Sequence, residues 1–170
     1  VIILAAGQGK RLLPLTAEKP KALLDIGGKT LIERQVEAFV ACGLRRFSVV
    51  TGYGSDMMEE ELGRIALRHK AEISCIFNPF YALADNLASC WMARCAMGGD
   101  FIQVNGDNVF RSDVVERLLA APAAPVSVAV NTKASYDADD MKVMLKDGLV
   151  LDIGKTLDVA RVGAEAIGFY

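Results

Sequence analysis

The sequence lacks any long apolar run. A membrane-spanning helix needs about 18 or more consecutive apolar residues, whereas charged residues interrupt every apolar segment of this chain. Although 52% of the 170 residues are hydrophobic, we therefore expect no membrane association. The chain also lacks a secretory signal-peptide pattern, and we expect a cytoplasmic protein.

An excess of basic charge is missing too, since 19 Lys and Arg stand against 21 Asp and Glu. This balance argues against nucleic acid as a general partner. The four cysteines have no paired C-x-x-C spacing, so we expect free, buried thiols rather than disulfides or a zinc site. The single histidine, His69, has no second imidazole or thiol at ligand spacing, and we expect it to be structural.

Two common phosphate-binding motifs are absent as well. A P-loop needs Ser or Thr after its glycine and lysine, but Gly9-Lys10 is followed by Arg11. A dinucleotide fingerprint needs a small residue where this chain has Leu12, and a helix that Pro14 would interrupt. What remains is a phosphate-binding loop that does not open a helix.

The first 21 residues carry the main functional signal. An apolar run over residues 1–6 predicts a buried strand, which ends in Gly7-Gln8-Gly9-Lys10-Arg11. Glycines let the backbone approach a ligand closely, while Lys10, Arg11 and Lys21 supply the charge that a polyphosphate requires. This combination predicts a nucleotide site.

Strand and helix patterns alternate after this loop. Thr30 and Glu33 predict a capping box at the start of the first helix. The predicted strands are 1–6, 47–51, 72–77, 101–105 and 126–132. Of the other predicted helices, one has Ser55 as its N-cap, one ends at Met97 and one has Ser112 as its N-cap. This order predicts an α/β fold with a mostly parallel sheet and helices on both faces. Asp147-Gly148 predicts an antiparallel hairpin of strands 142–146 and 149–153, added to that sheet.

The opening motif resembles a known family. The motif consists of Leu4-Ala5-Ala6-Gly7-x-Gly9-x-Arg11, then Pro14-Leu15-Thr16 and Pro20-Lys21. It is similar to the motif of the nucleotidyltransferases that join a nucleoside triphosphate to a sugar phosphate or phosphorylated amino alcohol. The resemblance implies a Rossmann-like nucleotidyltransferase (GT-A-like) fold. It implies that Arg11 holds the triphosphate and Lys21 the α-phosphate, both as catalytic groups, and that further nucleotide contacts come from Leu4, Ala5, Ala6, Gly7, Gly9 and Lys10. We expect residues 1–170 to form one nucleotidyltransferase domain that lacks the family's C-terminal elements.

Asp107 follows the predicted strand 101–105, beside Gly106. A carboxylate at the end of a buried strand, on the edge that carries the phosphate loop, suits Mg²⁺, which takes one or two carboxylates plus phosphate oxygens. In the resembling family the aspartate at this place holds the metal. We therefore predict that Asp107 is a nucleotide-binding, catalytic and metal-binding residue, with a second ligand beyond Tyr170.

Asn86 and Ser89 make the resemblance narrower. Their spacing at a helix start is similar to that of the phosphocholine (LicC-like) cytidylyltransferases, which implies contacts to CTP; the alternative is that both only cap the helix. By the same resemblance Lys155 meets the acceptor's phosphate and Glu165 borders its pocket. The acidic run with Asp139 and Asp140 could meet a cationic amine, although such a loop is usually only solvated. Tyr81 is predicted to complete the acceptor site.

The predicted activity is transfer of CMP from CTP to phosphocholine, phosphoethanolamine or 2-aminoethylphosphonate, with release of pyrophosphate and Mg²⁺ as cofactor. One alternative is a sugar-1-phosphate or inositol-phosphate nucleotidyltransferase that uses UTP, dTTP or CTP. Another is a catalytically silent nucleotide-sensing subunit, which the presence of Lys21 and Asp107 disfavours. The expected partners are CTP and a small phosphorylated acceptor, and a homodimer stays open.

Overall fold

The computed structural model describes residues 1–83 and 85–170, which form two compact units, Val1–Ala120 and Ala121–Tyr170. Each unit contains one four-stranded sheet. Within the described residues, no helix is long and apolar enough to cross a membrane. That the whole chain acts as a single domain stays a prediction.

The first unit is built on a parallel sheet with strand order β3-β2-β1-β4. Its strands are β1 (Ile2–Leu4), β2 (Arg46–Thr51), β3 (Glu72–Phe77) and β4 (Gln103–Asn105). Its helices are α1 (Leu31–Ala41), α2 (Ser55–His69), α3 (Asn86–Met92) and α4 (Ser112–Leu119), with 3₁₀ turns at Lys10–Leu12, Lys21–Leu23 and Ala93–Ala96. Because all four strands are parallel, their carboxyl ends meet at one edge of the sheet.

Both faces of this sheet are covered by helices. On one face Ile2, Leu4 and Val50 pack with Ala93, which follows α3. Successive residues of a strand point to opposite faces, so Phe47 lies on the other face, where its ring centroid is 6.1 Å from that of Phe39 on α1. The predicted α/β fold with a mostly parallel sheet flanked by helices is confirmed.

Helix α1 begins as predicted but without a complete capping box. The Oγ1 atom of Thr30 accepts a hydrogen bond from the backbone N–H of Glu33 at 3.3 Å. The carboxylate of Glu33 does not complete the motif, since it accepts instead from Arg68 at 2.5 Å and His69 Nε2 at 3.1 Å. Burial raises the pKa of Glu33, but these hydrogen bonds outweigh it, and the pKa lies below its ordinary value. His69 is thus a structural residue.

The predicted caps of the other helices are wrong. Ser55 and Ser112 are the first helical residues, and the preceding Gly54 and Arg111 make no side-chain cap hydrogen bond. Helix α3 is capped by Asp85, whose Oδ1 accepts from the N–H of Leu87 at 2.9 Å. Asn86 and Ser89 therefore lie inside the helix, and the alternative that they merely cap it fails.

The second unit holds an antiparallel sheet with strand order β5-β8-β6-β7. Its strands are β5 (Val130–Asn131), β6 (Lys142–Lys146), β7 (Leu149–Gly154) and β8 (Ala164–Ala166), and a 3₁₀ turn spans Val159–Arg161. The hairpin prediction is confirmed, with Asp147 and Gly148 at φ 52° and 77°. The hairpin does not extend the parallel sheet, however, because β6 pairs with β8 instead. The strand predicted over 126–132 shrinks to β5.

The cysteines are free thiols, as expected, but they are not all buried. Cys75 and Cys95 are exposed, and Cys42 and Cys90 are partly buried. Cys75 lies on β3, an edge strand of its sheet, where neighbouring elements cover less of each side chain. Although the Cys75 side chain is exposed, partial desolvation by its neighbours and the negative charge of Glu59 raise the pKa of its thiol, so it stays protonated near neutral pH.

Candidate active site

The glycine-rich loop after β1 is closed by its own hydrogen bonds. The buried hydroxyl of Thr16 donates to the carbonyl oxygen of Gly9 at 2.9 Å, and Gln8 Nε2 donates to the carbonyl oxygen of Thr16 at 3.3 Å. Between them, exposed Lys10 and Arg11 lie in the 3₁₀ turn Lys10–Leu12. The loop therefore holds two cations over the end of β1 without forming a helix N-terminus.

Lys21 lies against this loop because residue 9 has no side chain. A Cβ atom at Gly9, which has φ +77°, would come within 2.8 Å of the Cβ atom of Lys21. The stem of Lys21 thus packs on the Gly9 backbone. Its ammonium group then reaches Asp107, with 2.7 Å between Nζ and Oδ2.

Asp107 is brought to the loop by a tight turn after β4. The N–H of Asn108 donates to the carbonyl oxygen of Asn105 at 3.1 Å, and the N–H of Gly106 donates to that of Leu4 at 2.8 Å. A Cβ atom at Gly106 would lie 2.7 Å from the Cβ atom of Ala5, so only glycine lets the turn pack directly on the end of β1. Strand β4 thereby places a carboxylate beside the glycine-rich loop.

The Lys21–Asp107 ion pair is accessible to solvent. The side chains are 30% and 45% exposed, and ion pairs of this kind contribute about 0–1 kcal/mol to stability. A lysine and a carboxylate held together at the carboxyl end of parallel strands are thus of little structural value. They lie where open α/β sheets bind their ligands.

Gln35, which the sequence reasoning missed, binds the backbone of the turn that carries Asp107. This α1 residue is 1% exposed, and its Nε2 donates to the carbonyl oxygens of Asn105 at 2.9 Å and Asn108 at 2.7 Å. Its Oε1 is buried and has no hydrogen-bond partner among the described residues, which costs about 1–3 kcal/mol. The only signal in the sequence was a glutamine within the apolar stripe of α1.

Asn86 lies at the same sheet edge, whereas Ser89 does not face it. Asn86 Nδ2 is 3.2 Å from Oδ1 of Asn105, the last residue of β4. Ser89 is buried, and its hydroxyl accepts from Asn78 Nδ2 at 3.0 Å. Asn78 also accepts from the N–H of Phe80 at 2.9 Å, so Ser89 and Asn78 stabilise the loop after β3. Asn78 was not among the site residues predicted from the sequence.

Tyr81 packs within the first unit. Its backbone N–H donates to the carbonyl oxygen of Asn78 at 3.3 Å, and its ring centroid lies 6.4 Å from that of Tyr53. The ring contacts the apolar cluster that contains Ile2 and Leu4. The structure therefore gives Tyr81 a packing role, and its predicted contact with an acceptor stays a prediction.

The predicted nucleotide-binding residues converge at the carboxyl edge of the parallel sheet, except Ser89. The backbone near β1 is already engaged, since Leu4 and Ala6 accept from the N–H groups of Gly106 and Tyr53. Gly7 is exposed. The residues that the structure brings to this edge are Leu4, Ala5, Ala6, Gly7, Gly9, Lys10, Arg11, Lys21, Asn86 and Asp107.

A divalent cation fits this edge of the sheet if most of its ligands are phosphate and water oxygens. Within residues 1–83 and 85–170 there is no group of three or more His, Cys, Asp or Glu that could hold a metal ion. Asp107 offers a half-exposed carboxylate beside the glycine-rich loop. A single carboxylate suits Mg²⁺, which takes much of its coordination from phosphate and water oxygens, and does not suit an all-protein calcium or zinc site.

The predicted acceptor residues of the second unit are joined by Lys133, another residue that sequence reasoning missed. Its ammonium lies 2.8 Å from Asp140 Oδ1 and 2.7 Å from Glu165 Oε2. The hydrogen bond from Lys133 lowers the pKa of Asp140 to about 2, and the same two carboxylates raise the pKa of Lys133. The charges of Asp140 and Glu165 are therefore partly compensated within the protein, since one ammonium group lies between two carboxylates.

Lys142 ties the acidic loop to Lys155. It is 3% exposed, and its ammonium donates to the carbonyl oxygens of Asp137 at 2.5 Å and Lys155 at 2.8 Å. Lys155 Nζ lies 3.5 Å from Asp139 Oδ1, between side chains that are 51% and 73% exposed. The loop 133–140 is thus held by specific contacts, and four of the predicted acceptor-site residues, Lys155, Asp139, Asp140 and Glu165, lie in this one unit.

Comparison with known proteins identifies the family. Residues 1–144 match the MobA-like NTP transferase domain. The chain belongs to this family. The match covers the glycine-rich loop, Lys21, Asn86 and Asp107, so the nucleotidyltransferase prediction, and with it that of an enzyme, is confirmed at the level of the family.

Relatives of this nucleotidyltransferase chain include a CTP:phosphoglutamine cytidylyltransferase of Campylobacter jejuni, 26% identical over 99% of this chain and 71% of that protein. The solved CTP:phosphocholine cytidylyltransferase of Streptococcus pneumoniae (LicC) is 26% identical, with a TM-score of 0.64, over 99% of this chain and 68% of that one. The inositol-1-phosphate CTP transferase of T. maritima, 20% identical with a TM-score of 0.78 over 99% of this chain and 67% of that one, shares the fold. The chain thus spans about two thirds of the length of these proteins.

Proposed function

We propose that this nucleotidyltransferase transfers CMP from CTP to a small phosphorylated or phosphonylated amine and releases pyrophosphate. The observation that carries the proposal is the contact of Lys21 with Asp107, 2.7 Å apart, over the Gly9 turn. It supports phosphoryl chemistry because a movable cation and a carboxylate that suits Mg²⁺ lie together beside a phosphate loop. CTP is favoured because the C. jejuni and S. pneumoniae relatives are named as cytidylyltransferases.

The reaction needs no protein base. An oxygen of the acceptor's phosphate attacks the α-phosphorus of CTP in line, the bond from that phosphorus to the bridging β-oxygen breaks, and pyrophosphate carries the electron pair away. The second pKa of a phosphate monoester is about 6, so the attacking oxygen is already ionised at neutral pH. This accords with a chain whose single histidine is bound to Glu33.

Each group at the sheet edge has a role in this scheme. Lys21 leaves Asp107 for the α-phosphoryl group, and Arg11 neutralises the leaving pyrophosphate. Asp107 would hold Mg²⁺, which supplies charge neutralisation on the phosphate oxygens when bound. The amide of Asn86, which offers both a donor and an acceptor, is suited to the edge of the cytosine or ribose.

We assign the acceptor to the second unit. Lys155, 51% exposed, would bind the acceptor's phosphate, and Asp139, 73% exposed, would face its ammonium group. Asp140 and Glu165 would act mainly through Lys133, because its ammonium group contacts both carboxylates and partly compensates their charge. We further propose a cytoplasmic location, in keeping with the free thiols of the described residues.

A substrate panel tests the proposal. CTP, UTP and dTTP are each combined with phosphocholine, phosphoethanolamine, 2-aminoethylphosphonate, phosphoglutamine, a hexose-1-phosphate and inositol-1-phosphate, and pyrophosphate release is measured in Mg²⁺. We expect CTP with one of the amine acceptors to give the highest kcat/KM, and Asp107→Asn to abolish most of that signal. Equal or faster turnover of a hexose-1-phosphate would refute the assignment of the acceptor class.

The second candidate is an inositol-phosphate or sugar-phosphate nucleotidyltransferase. It is favoured by the likeness to the inositol-1-phosphate CTP transferase of T. maritima and by the internal compensation of Asp140, which removes one of the anionic groups available to an amine. The last two acceptors of the panel test it. Nucleotide binding by calorimetry without turnover of any pair would instead indicate a catalytically silent nucleotide-sensing subunit.

A further inference from the structure

Gln35 links α1 to the turn that carries Asp107 through two hydrogen bonds from its Nε2 atom. Within the turn 105–108 the N–H of Asn108 donates to the carbonyl oxygen of Asn105, and the N–H of Gly106 donates to that of Leu4 on β1. The two carbonyl oxygens that Gln35 binds flank the Gly106-Asp107 pair on either side. Gln35 therefore closes the turn from the buried side while Asp107 faces the site.

The chemistry at position 35 uses only the donor half of the amide. Nε2 donates twice, whereas Oε1 is buried without a partner among the described residues. A leucine of similar size would fill the space more favourably but would remove both donors, so that the carbonyl oxygen of Asn105 would lose one of its two hydrogen bonds. A lysine could donate to both, but it would bury a positive charge at a position that is 1% exposed. The unsatisfied oxygen indicates that the fold retains this amide for what its N–H groups hold in place.

We propose that Gln35 is a positioning residue for Asp107, and that it sets the affinity of the site for a divalent cation. By fixing the backbone on both sides of residue 107, it orients the carboxylate toward the sheet edge and keeps Asn105 in reach of Asn86. The inference rests on the proposed function only in taking Asp107 as a ligand of the metal that accompanies the triphosphate. Partners that orient a metal ligand typically change metal affinity by about 10- to 100-fold when they are removed.

The test compares Gln35→Leu with Glu33→Leu. Glu33 is a matched control, since it is a buried polar residue on the same helix that contacts Arg68 and His69 instead of the turn. Binding of Mn²⁺ in the presence of CTP is measured by electron paramagnetic resonance, together with the melting temperature and the separate kcat and KM values. Gln35→Glu, which keeps the shape but loses both donors when ionised, carries the test should Gln35→Leu fail to fold.

We expect Gln35→Leu to weaken Mn²⁺ binding by about tenfold or more and to leave the KM of the acceptor unchanged at saturating metal. Glu33→Leu should lower the melting temperature at least as much, with Mn²⁺ affinity within twofold of that of the unsubstituted protein. A folded Gln35 variant with unaltered Mn²⁺ affinity would overturn the inference. If no substrate pair turns over, yet Asp107→Asn abolishes and Gln35→Leu weakens Mn²⁺ binding, the proposed function fails while this inference stands.

Discussion

Replacing Lys21 with methionine separates catalysis from stability at this site. The stem of Lys21 packs on Gly9, so methionine keeps that packing and removes only the ammonium. The ion pair with Asp107 is 30% and 45% exposed, and its loss should cost about 0–1 kcal/mol, or a few degrees at most in the melting temperature. Loss of a preorganised charge at the α-phosphorus should instead lower kcat about 10²- to 10³-fold, equivalent to roughly 2.7–4 kcal/mol.

The chain provides a matched control in Lys29. Its Nζ lies 2.7 Å from Glu37 Oε1, between side chains that are 37% and 45% exposed, so distance and solvation nearly equal those of the Lys21 pair. Lys29→Met should therefore lower the melting temperature to a similar extent and leave kcat unchanged. The assay is pyrophosphate release at saturating CTP, Mg²⁺ and acceptor, with melting followed by circular dichroism.

Three results would contradict this reasoning. Near-full turnover of Lys21→Met would remove the ammonium from the reaction. A similar loss of kcat in Lys29→Met would mean that the effect follows general destabilisation. A rise in the KM for CTP without a fall in kcat would assign Lys21 to ground-state binding of the nucleotide.

Three other outcomes are expected. Asp107→Asn should both lower kcat and raise the Mg²⁺ concentration that gives the half-maximal rate, since an amide is a poor ligand for a hard dication. An unchanged Mg²⁺ titration would assign the metal to other residues. Neutralising Asp139 and Asp140 together should raise the KM of the amine acceptor several-fold with little change in that of CTP, and equal KM values would exclude the loop from acceptor binding. Lys133→Met should raise the Asp140 pKa from about 2 toward its ordinary 3.8, measured by carboxyl NMR titration. Because the folded pKa is depressed, the stabilisation from this contact is present above about pH 4 and is lost as the pH falls toward 2. Lys133→Met should therefore shift acid unfolding to higher pH, and an unchanged acid-unfolding curve would contradict this.

The central part of the site was predictable because its charged residues directly follow glycines in the sequence. Gly9 precedes Lys10 and Gly106 precedes Asp107, and the structure shows why glycine stands there, since a Cβ atom would clash with Lys21 or Ala5. The order of strands then brings Asp107 to the same edge as the loop, because parallel strands share one carboxyl end.

The supporting residues were not predictable in this way. Gln35 meets the Asp107 turn across 70 residues or more of sequence, and a glutamine in an apolar stripe does not indicate which carbonyl oxygens it will reach. Ser89 lies three residues after Asn86 on the same helix, but its hydroxyl is buried and contacts Asn78. Helix spacing determines which side chains share a face, whereas the packed neighbours determine whether that face is covered.

The sequence by itself determined the Asp147-Gly148 turn, the Thr30 cap and the family of the glycine-rich loop, since each depends on contacts within a few residues or on backbone angles that few residue types adopt. It also determined the parallel direction of the strands in the first sheet, because strands that alternate with helices pair in parallel. Only the tertiary structure decided the partners of the charged groups. The carboxylate of Glu33 accepts hydrogen bonds from Arg68 and His69 and does not complete the predicted capping box. Asp140 forms an ion pair with Lys133. A carboxylate binds whichever donor the fold brings near it while excluding water, and that competition is settled between elements that lie far apart in the chain.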